Sequence, residues 1–207
     1  GLFTIFKEIL DNAVDETRIS KSKNIYIKID PGGFITVADQ GRGIPVKPHK
    51  SFPGVSTLTV IFTEVHAGGK FDAADGATVG TFGVGATCTN ALSETFSVDT
   101  KRDGKWYSQL FKRGKPMGVV KKSKQVPWKW KDISTVVHFK HDPEIFGKLK
   151  IDVDRIVEAI RVQSYFLKGV TFHVELATYK KTKMIQDTRG NDIAQVVVTS
   201  THIQKFV

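Results

Sequence analysis

Glu8 and Asn12 stand four residues apart in the stretch Glu8-Ile9-Leu10-Asp11-Asn12-Ala13-Val14-Asp15-Glu16. On a helix that spacing leaves Cβ atoms roughly 5–6 Å apart, so a carboxylate and an amide can converge on one point. Phosphoryl transfer to water needs such a pair: a base or positioner for the attacking water, and an oxygen ligand for the Mg²⁺ on the phosphates. Taken alone, a solvated polar stripe would read the same way. Asp39 follows a strand pattern and precedes Gly41-Arg42-Gly43-Ile44-Pro45. A carboxylate there can accept a hydrogen bond from an exocyclic amine, and the glycines let backbone approach a planar ring; an ordinary turn after a hairpin strand would also choose Asp and Gly. Gly80-Thr81-Phe82-Gly83-Val84-Gly85, followed by a helix pattern, offers open N–H groups and a positive helix end to phosphates. It lacks the Gly-Lys-Ser/Thr ending of a Walker loop and reverses the dinucleotide spacing, and a glycine loop for close packing remains the alternative. Lys70, beside Gly68-Gly69, could add a cation, or be a plain loop lysine. Together the four islands predict an ATP site.

The elements that must position these groups are legible in outline. Apolar side chains at Leu2, Phe6, Ile9 and Ala13, and again at Phe3, Leu10 and Val14, recur at helical spacing over residues 2–18. Glu8 and Asn12 fall on another face with Asp15 and Glu16. Ile25, Ile27 and Ile29 alternate with polar residues, Pro31-Gly32-Gly33 turns the chain, and a second strand over 34–38 delivers Asp39. Eleven of the 18 glycines lie between Gly32 and Gly85, interrupted by a helix pattern over 57–65, which marks a loop-rich, ligand-facing region. A short helix over 86–92 precedes strands at 95–101, 105–112, 117–121 and 135–140, predicting an antiparallel sheet. A helix at 153–167 and a strand at 170–176 follow, and the tail from Lys180 is ambiguous.

Composition bounds the rest. The 207 residues are 40% apolar and 25% charged, enough for one domain with a substantial core or one domain plus the start of a second. Cys88 is the single cysteine, so no internal disulfide or Cys-based zinc site is expected, and a reducing compartment fits. No apolar run approaches the roughly 20 residues of a membrane helix, so a soluble protein is expected. A net charge of +10 implies attraction to polyanions, nucleic acid or nucleotide, or else a well-solvated basic surface. The interleaved cations and aromatics from Lys121 to Lys131 could contact a nucleic-acid backbone and stack on bases, or form a plain hairpin loop.

In this order and spacing the islands resemble the ATPase domain of the GHKL superfamily, which includes chaperones, mismatch-repair proteins, sensor histidine kinases and type II topoisomerases. The likeness is sharpest to the gyrase B, ParE and topoisomerase II branch. Residues 1–16 look like its GLxxxxxEϕxDNAϕDE, residues 39–45 like DxGRGIP, residues 58–72 (LTVIFTEVHAGGKFD) like gyrase B, and residues 83–93 (GVGATCTNALS) like GVGxxxVNALS. HAGGKFD argues against the chaperone, mismatch-repair and kinase branches. The resemblance covers about residues 1–176. It implies an α/β two-layer sandwich, the Bergerat ATP-binding fold, with helices on one face of a mixed, mostly antiparallel sheet.

By the same resemblance Glu8 is the general base, Asn12 the Mg²⁺ ligand, and Asp39, ionised at neutral pH and aided by Thr135, the adenine reader. Arg42, Gly43, Ile44 and Pro45 border the base, Lys70, Gly80, Gly83, Val84 and Gly85 hold the phosphates, and Arg102 matches a position associated with aminocoumarin inhibitors. Cofactors are then ATP and Mg²⁺. Partners are DNA through the full enzyme, a second subunit or cleavage core, and a second ATPase domain on ATP binding, with the fragment itself monomeric. The location is cytoplasmic, or nuclear or nucleoid-associated. Residues 1–180 form the ATPase domain, and 181–207 its end or the start of a transducer domain. Several features depart from the branch: Val79-Gly80 replaces paired glycines, Ser134-Thr135 replaces Gly-Thr, and the stretch between Phe71 and Gly80 is Asp/Ala-rich. The chain opens at Gly1 without methionine, which reads as a fragment lacking its swapping arm and the transducer lysine, better at binding nucleotide than at hydrolysing it. Two other readings are a GHKL chaperone or kinase and a non-catalytic DNA-binding module with a degenerate pocket.

Overall fold

A computed structural model describes residues 1–65, 84–124, 126, 128–186 and 192–207, with side chains described up to 177 and again from 204. The first helix, α1 (Leu2–Ser20), buries Leu2, Ile5, Phe6, Ile9, Leu10, Ala13 and Val14, the stripe its periodicity predicts. It ends at Lys21 in the left-handed conformation (φ 57°). Strands β1 (Asn24–Ile29) and β2 (Phe34–Asp39) pair as the expected hairpin, closed by Gly33 at φ +84°.

Beyond the hairpin come β3 (Pro48–His49), β4 (Phe52–Ser56), α2 (Thr57–Thr63), α3 (Gly85–Ala91), β5 (Ser93–Arg102), β6 (Lys105–Lys112), β7 (Lys115–Pro116) and β8 (Lys121–Ser123). They are followed by β9 (Thr135–His141), α4 (Pro143–Phe146), α5 (Val153–Phe166), β10 (Thr171–Gln186) and β11 (Asp192–Phe206). One nine-stranded sheet runs β11-β10-β1-β2-β9-β5-β6-β7, with β8 also on β6. Among the described residues only β1 and β10 pair in parallel, so the sheet is mixed and mostly antiparallel as expected. Helices α1, α2 and α5 share one apolar core with its inner face, completing the two-layer α+β arrangement.

The core is organised in rows that cross the strands, because residues directly opposite one another point to the same side. Ile29, Ile35, Phe139, Phe96 and Phe111 form one row, and Ile27, Val37, Val137 and Val98 the next. The row after these begins with Ile25 and turns polar: Asp39, Thr135 and Thr100. Side-chain parity thus sends Asp39 inward, under the helices.

Two local differences from the sequence reading have physical causes. Residues 117–121 do not form a strand, because Gly118 sits at φ +105° and β8 starts only at Lys121. The short helix α4 starts where the Asp142 side chain accepts from the Glu144 N–H and Pro143 supplies a helical first position. The tail that the sequence left ambiguous is strand: β10 continues to Gln186, with register shifts between Thr178 and Lys181, and β11 returns beside it, from Gln186↔Asp192 back to Phe172↔Phe206.

Phe96 is fully buried between Phe62, Phe111 and Phe139. Phe96→Ala is therefore expected to cost about 3–5 kcal/mol of stability, read as an earlier midpoint in urea unfolding; a loss below about 1 kcal/mol would contradict this core assignment.

Candidate functional site

Helix α1 carries Glu8, Asn12 and Glu16 at i, i+4 and i+8, one stripe about 12 Å long. Its two ends meet different loops. At the Glu8 end, α3 begins at Gly85 so close that an added Cβ would lie 2.0 Å from the Glu8 carboxylate. At the Glu16 end, an added Cβ on Gly41 would lie 2.1 Å from the Glu16 side chain and 2.8 Å from an Asp39 oxygen. Asn12 stands between them. Glu8 and Asn12 are half-buried, and neither side chain has a hydrogen-bond partner among the described residues.

The loop 41–45 is held from four directions. The Arg42 N–H donates to Glu16 Oε1 (2.7 Å), and its guanidinium grips both Glu16 oxygens at 2.9 and 3.1 Å. The Ile44 N–H donates to Thr100 Oγ1 (2.7 Å), and Arg102 donates to the carbonyls of Arg42 (2.7 Å) and Gly43 (3.0 Å). Ser134 Oγ donates to the Gly41 carbonyl (2.6 Å). Gly43 needs to be glycine twice over: its φ is +73°, and a Cβ would meet the Lys101 carbonyl at 2.1 Å.

Asp39 is the buried centre of this arrangement. Desolvation pushes its carboxyl up to about 7, reinforced by the nearby Glu16 charge and opposed by hydrogen bonds from Gly41, Ser134 and Thr135. This differs from the ionised group expected from sequence: near neutral pH the proton is shared about evenly between bound and free. The buried position set by strand parity outweighs three donors.

The sequence matches the family described as histidine kinase-, DNA gyrase B-, and HSP90-like ATPase over residues 1–115. The chain belongs to this ATPase family. It is 44% identical over 82% of its length to the B-type subunit of DNA topoisomerase 4 from Caulobacter vibrioides, covering 24% of that protein. It is 38% identical over 92% of its length to DNA gyrase B of Thermus thermophilus, covering 30% of it. The chain thus spans about a quarter to a third of these curated relatives. Among solved structures, the 43K ATPase domain of Thermus thermophilus gyrase B, in complex with an aminocoumarin, superposes with a TM-score of 0.68 at 32% identity over 93% of this chain and 44% of that one.

In this ATPase domain, the structure brings together most of the residues singled out from sequence. Asp39, Thr135, Arg42, Gly43 and Ile44 gather at the Glu16 end of α1, and Glu8, Val84 and Gly85 at the other, with Val84 as the residue capping α3. Pro45 follows Ile44 in the same pinned loop, half-buried. Lys70, Gly80 and Gly83 lie outside the described residues. Arg102 braces the loop backbone, so its guanidinium is committed to two carbonyls. Sequence reasoning gave no task to Glu16, Thr100 or Ser134, which do the bracing. Glu16 carried a usable signal, being one further helical step along the Glu8–Asn12 stripe.

Two outcomes follow. A group whose folded pKa is raised favours folding fully below its unfolded pKa of 3.8, and that contribution is lost as pH rises through about 7. Asp39→Asn cannot ionise, so its melting temperature relative to wild type should rise between about pH 4 and pH 8; a constant difference would place Asp39 in water. Separately, Gly85→Ala should displace Glu8 and reduce nucleotide turnover at least about tenfold, measured as phosphate release, whereas unchanged turnover would show that α3 can yield.

Proposed function

We propose that this chain is the ATP-binding and hydrolysing domain of a type II DNA topoisomerase, the part that drives gate closure and DNA strand passage in the complete protein. The observation that carries the reading is the α1 stripe, which holds Glu8 against the α3 start and Glu16 against the loop beside buried Asp39. Gyrase B and topoisomerase 4 B relatives support it.

The roles follow from chemistry. Asp39 accepts from the exocyclic amine of adenine, with Thr135 opposite it in the sheet. Gly41, Gly43, Ile44 and Pro45 border the base, and the Glu16–Arg42 pair keeps that border in place. Val84 and Gly85 receive phosphate at the α3 start, with Lys70, Gly80 and Gly83 as the remaining phosphate contacts. Glu8 takes the proton of the attacking water. The Asn12 amide oxygen, without a protein partner among the described residues, suits a hard cation. Mg²⁺ held there would neutralise phosphate charge. Among the described residues no three His, Cys, Asp or Glu cluster to hold a metal, so one amide plus the phosphates is the fitting set. Arg102, which holds the loop carbonyls through one guanidinium nitrogen, is a candidate contact for an aminocoumarin, the class bound by the gyrase B neighbour.

We read 181–207 as the end of this domain, since β11 pairs along β10 in the same sheet. The complete protein would dimerise through these domains on ATP binding and work with a cleavage core on DNA, in the cytoplasm. No helix among the described residues is long and apolar enough to cross a membrane.

In the complete protein, Glu8→Gln should lower ATP turnover by about 10²–10⁴-fold while calorimetry with a nonhydrolysable ATP analogue changes little; equal turnover removes Glu8 as the base. Because an amine donor favours the ionised carboxyl, analogue affinity should weaken below about pH 7, approaching tenfold per pH unit. Asp39→Asn should lose both the affinity and the pH dependence, and a retained affinity would take Asp39 out of the base contact.

A further inference from the structure

Residues 101–131 contain eleven of the chain's 31 Lys and Arg but only one, Asp103, of its 21 Asp and Glu. The rest of the chain therefore carries twenty charges of each sign, and the whole formal +10 resides in this one segment. Its residues 101–123 supply β6, β7 and β8 with the end of β5, the edge of the sheet far from β10 and β11.

Three of the eleven cations are engaged. Arg102 holds the loop carbonyls, Arg113 pairs with Asp142 and Glu144, and Lys129 pairs with Glu175. The other eight are exposed lysines, and none pairs with a carboxylate among the described residues. Register sorts them: Phe96 and Phe111 oppose each other in the core, so Lys112 points to the other side of the sheet, as do its partner Lys115, Lys121 opposite Ser108, and Lys101 opposite Trp106. From Trp106 to Lys112 the strand spans about 20 Å, the rise of about six base pairs. Lys122, opposite Tyr107, points to the other face and stays outside this row.

The aromatic residues nearby decide what kind of nucleic acid suits this surface. Trp128 stacks on Trp130 (6.0 Å), Trp130 on Tyr26 (5.4 Å) and Tyr26 on His173 (4.6 Å), and Trp128 Nε1 donates to Asp99. Their faces are occupied by one another and by the sheet, so they offer no platform for unpaired bases. What remains is a row of free cations matched to phosphates, which reads backbone and not sequence.

We propose that the outer face of β5–β8 docks the phosphate backbone of duplex DNA, a contact made by this domain itself and independent of the nucleotide site. The full chain is titrated against a fluorescein-labelled duplex of about 20 base pairs, the same strand unpaired, and phosphatidylserine vesicles. The expected result is micromolar duplex binding that is insensitive to sequence, with a log–log salt slope of about −3 to −5, four to five contacts. The combined Lys112→Glu, Lys115→Glu and Lys121→Glu variant should lose at least tenfold, and the Lys→Gln set at the same positions less, while both keep wild-type affinity for the ATP analogue. That last readout separates this proposal from the nucleotide reading, because either can fail alone. Duplex affinity within twofold of wild type in the Glu variant, a flat salt dependence, or tighter binding of the single strand would overturn the proposal. So would vesicle binding that exceeds duplex binding, which would assign the face, with half-exposed Leu110 among its lysines, to a membrane surface.

Discussion

Burial of the Asp39 carboxylate on the core side of the sheet is the constraint around which the site is arranged. Strand parity places it in line with two rows of Ile, Val and Phe, in an environment that penalises charge. The neighbours that make this tolerable are polar groups at matching positions: Thr135 opposite it, Ser134 beside it, and the Gly41 N–H donating to Oδ1 at 2.8 Å. Each of these is itself held by something else, so the loop that follows Asp39 has little freedom. Arg42 answers to Glu16, Ile44 to Thr100, and the carbonyls of Arg42 and Gly43 to Arg102.

Helix α1 turns that local constraint into a longer one. Its apolar stripe is fixed on the core, so its polar stripe must face the loops that leave the sheet. Because a helix is rigid over its 1.5 Å rise per residue, Glu16 at one end and Glu8 at the other keep a set separation. The close approaches of Gly41 and Gly85 show that both ends are in van der Waals contact with backbone, where any side chain would intrude. The two ends of the candidate site are in this way attached to one element.

Charge is distributed unevenly along the sheet. Carboxylates elsewhere sit in specific pairs, while the excess cations collect on β5–β8 at one edge. An edge strand rich in lysine also resists pairing with another chain. The tryptophans of the connecting segment pack flat on the outer face, with Ile133, Ala38 and Val136 beneath them. This same segment ends in Ser134 and Thr135, so the packing that anchors it also sets two of the donors to Asp39.

Much of this was legible from residues alone. The period of α1, the β1–β2 hairpin and the glycines around Asp39 depend on neighbours a few positions away, and such short-range patterns are written in the chain. So was the placement of Glu8 and Asn12 one turn apart on a helix and of Asp39 at the end of a strand. The protonation of Asp39 was not, since it depends on how completely Ile25, α1 and residues almost a hundred positions later exclude water. Nor were the tasks of Glu16, Thr100 and Ser134, each of which acts on a partner brought near only by the sheet. Sequence determined which polar groups share a helix face or a strand end; the tertiary structure decided their environment, because desolvation and long-range register are properties of the packed whole.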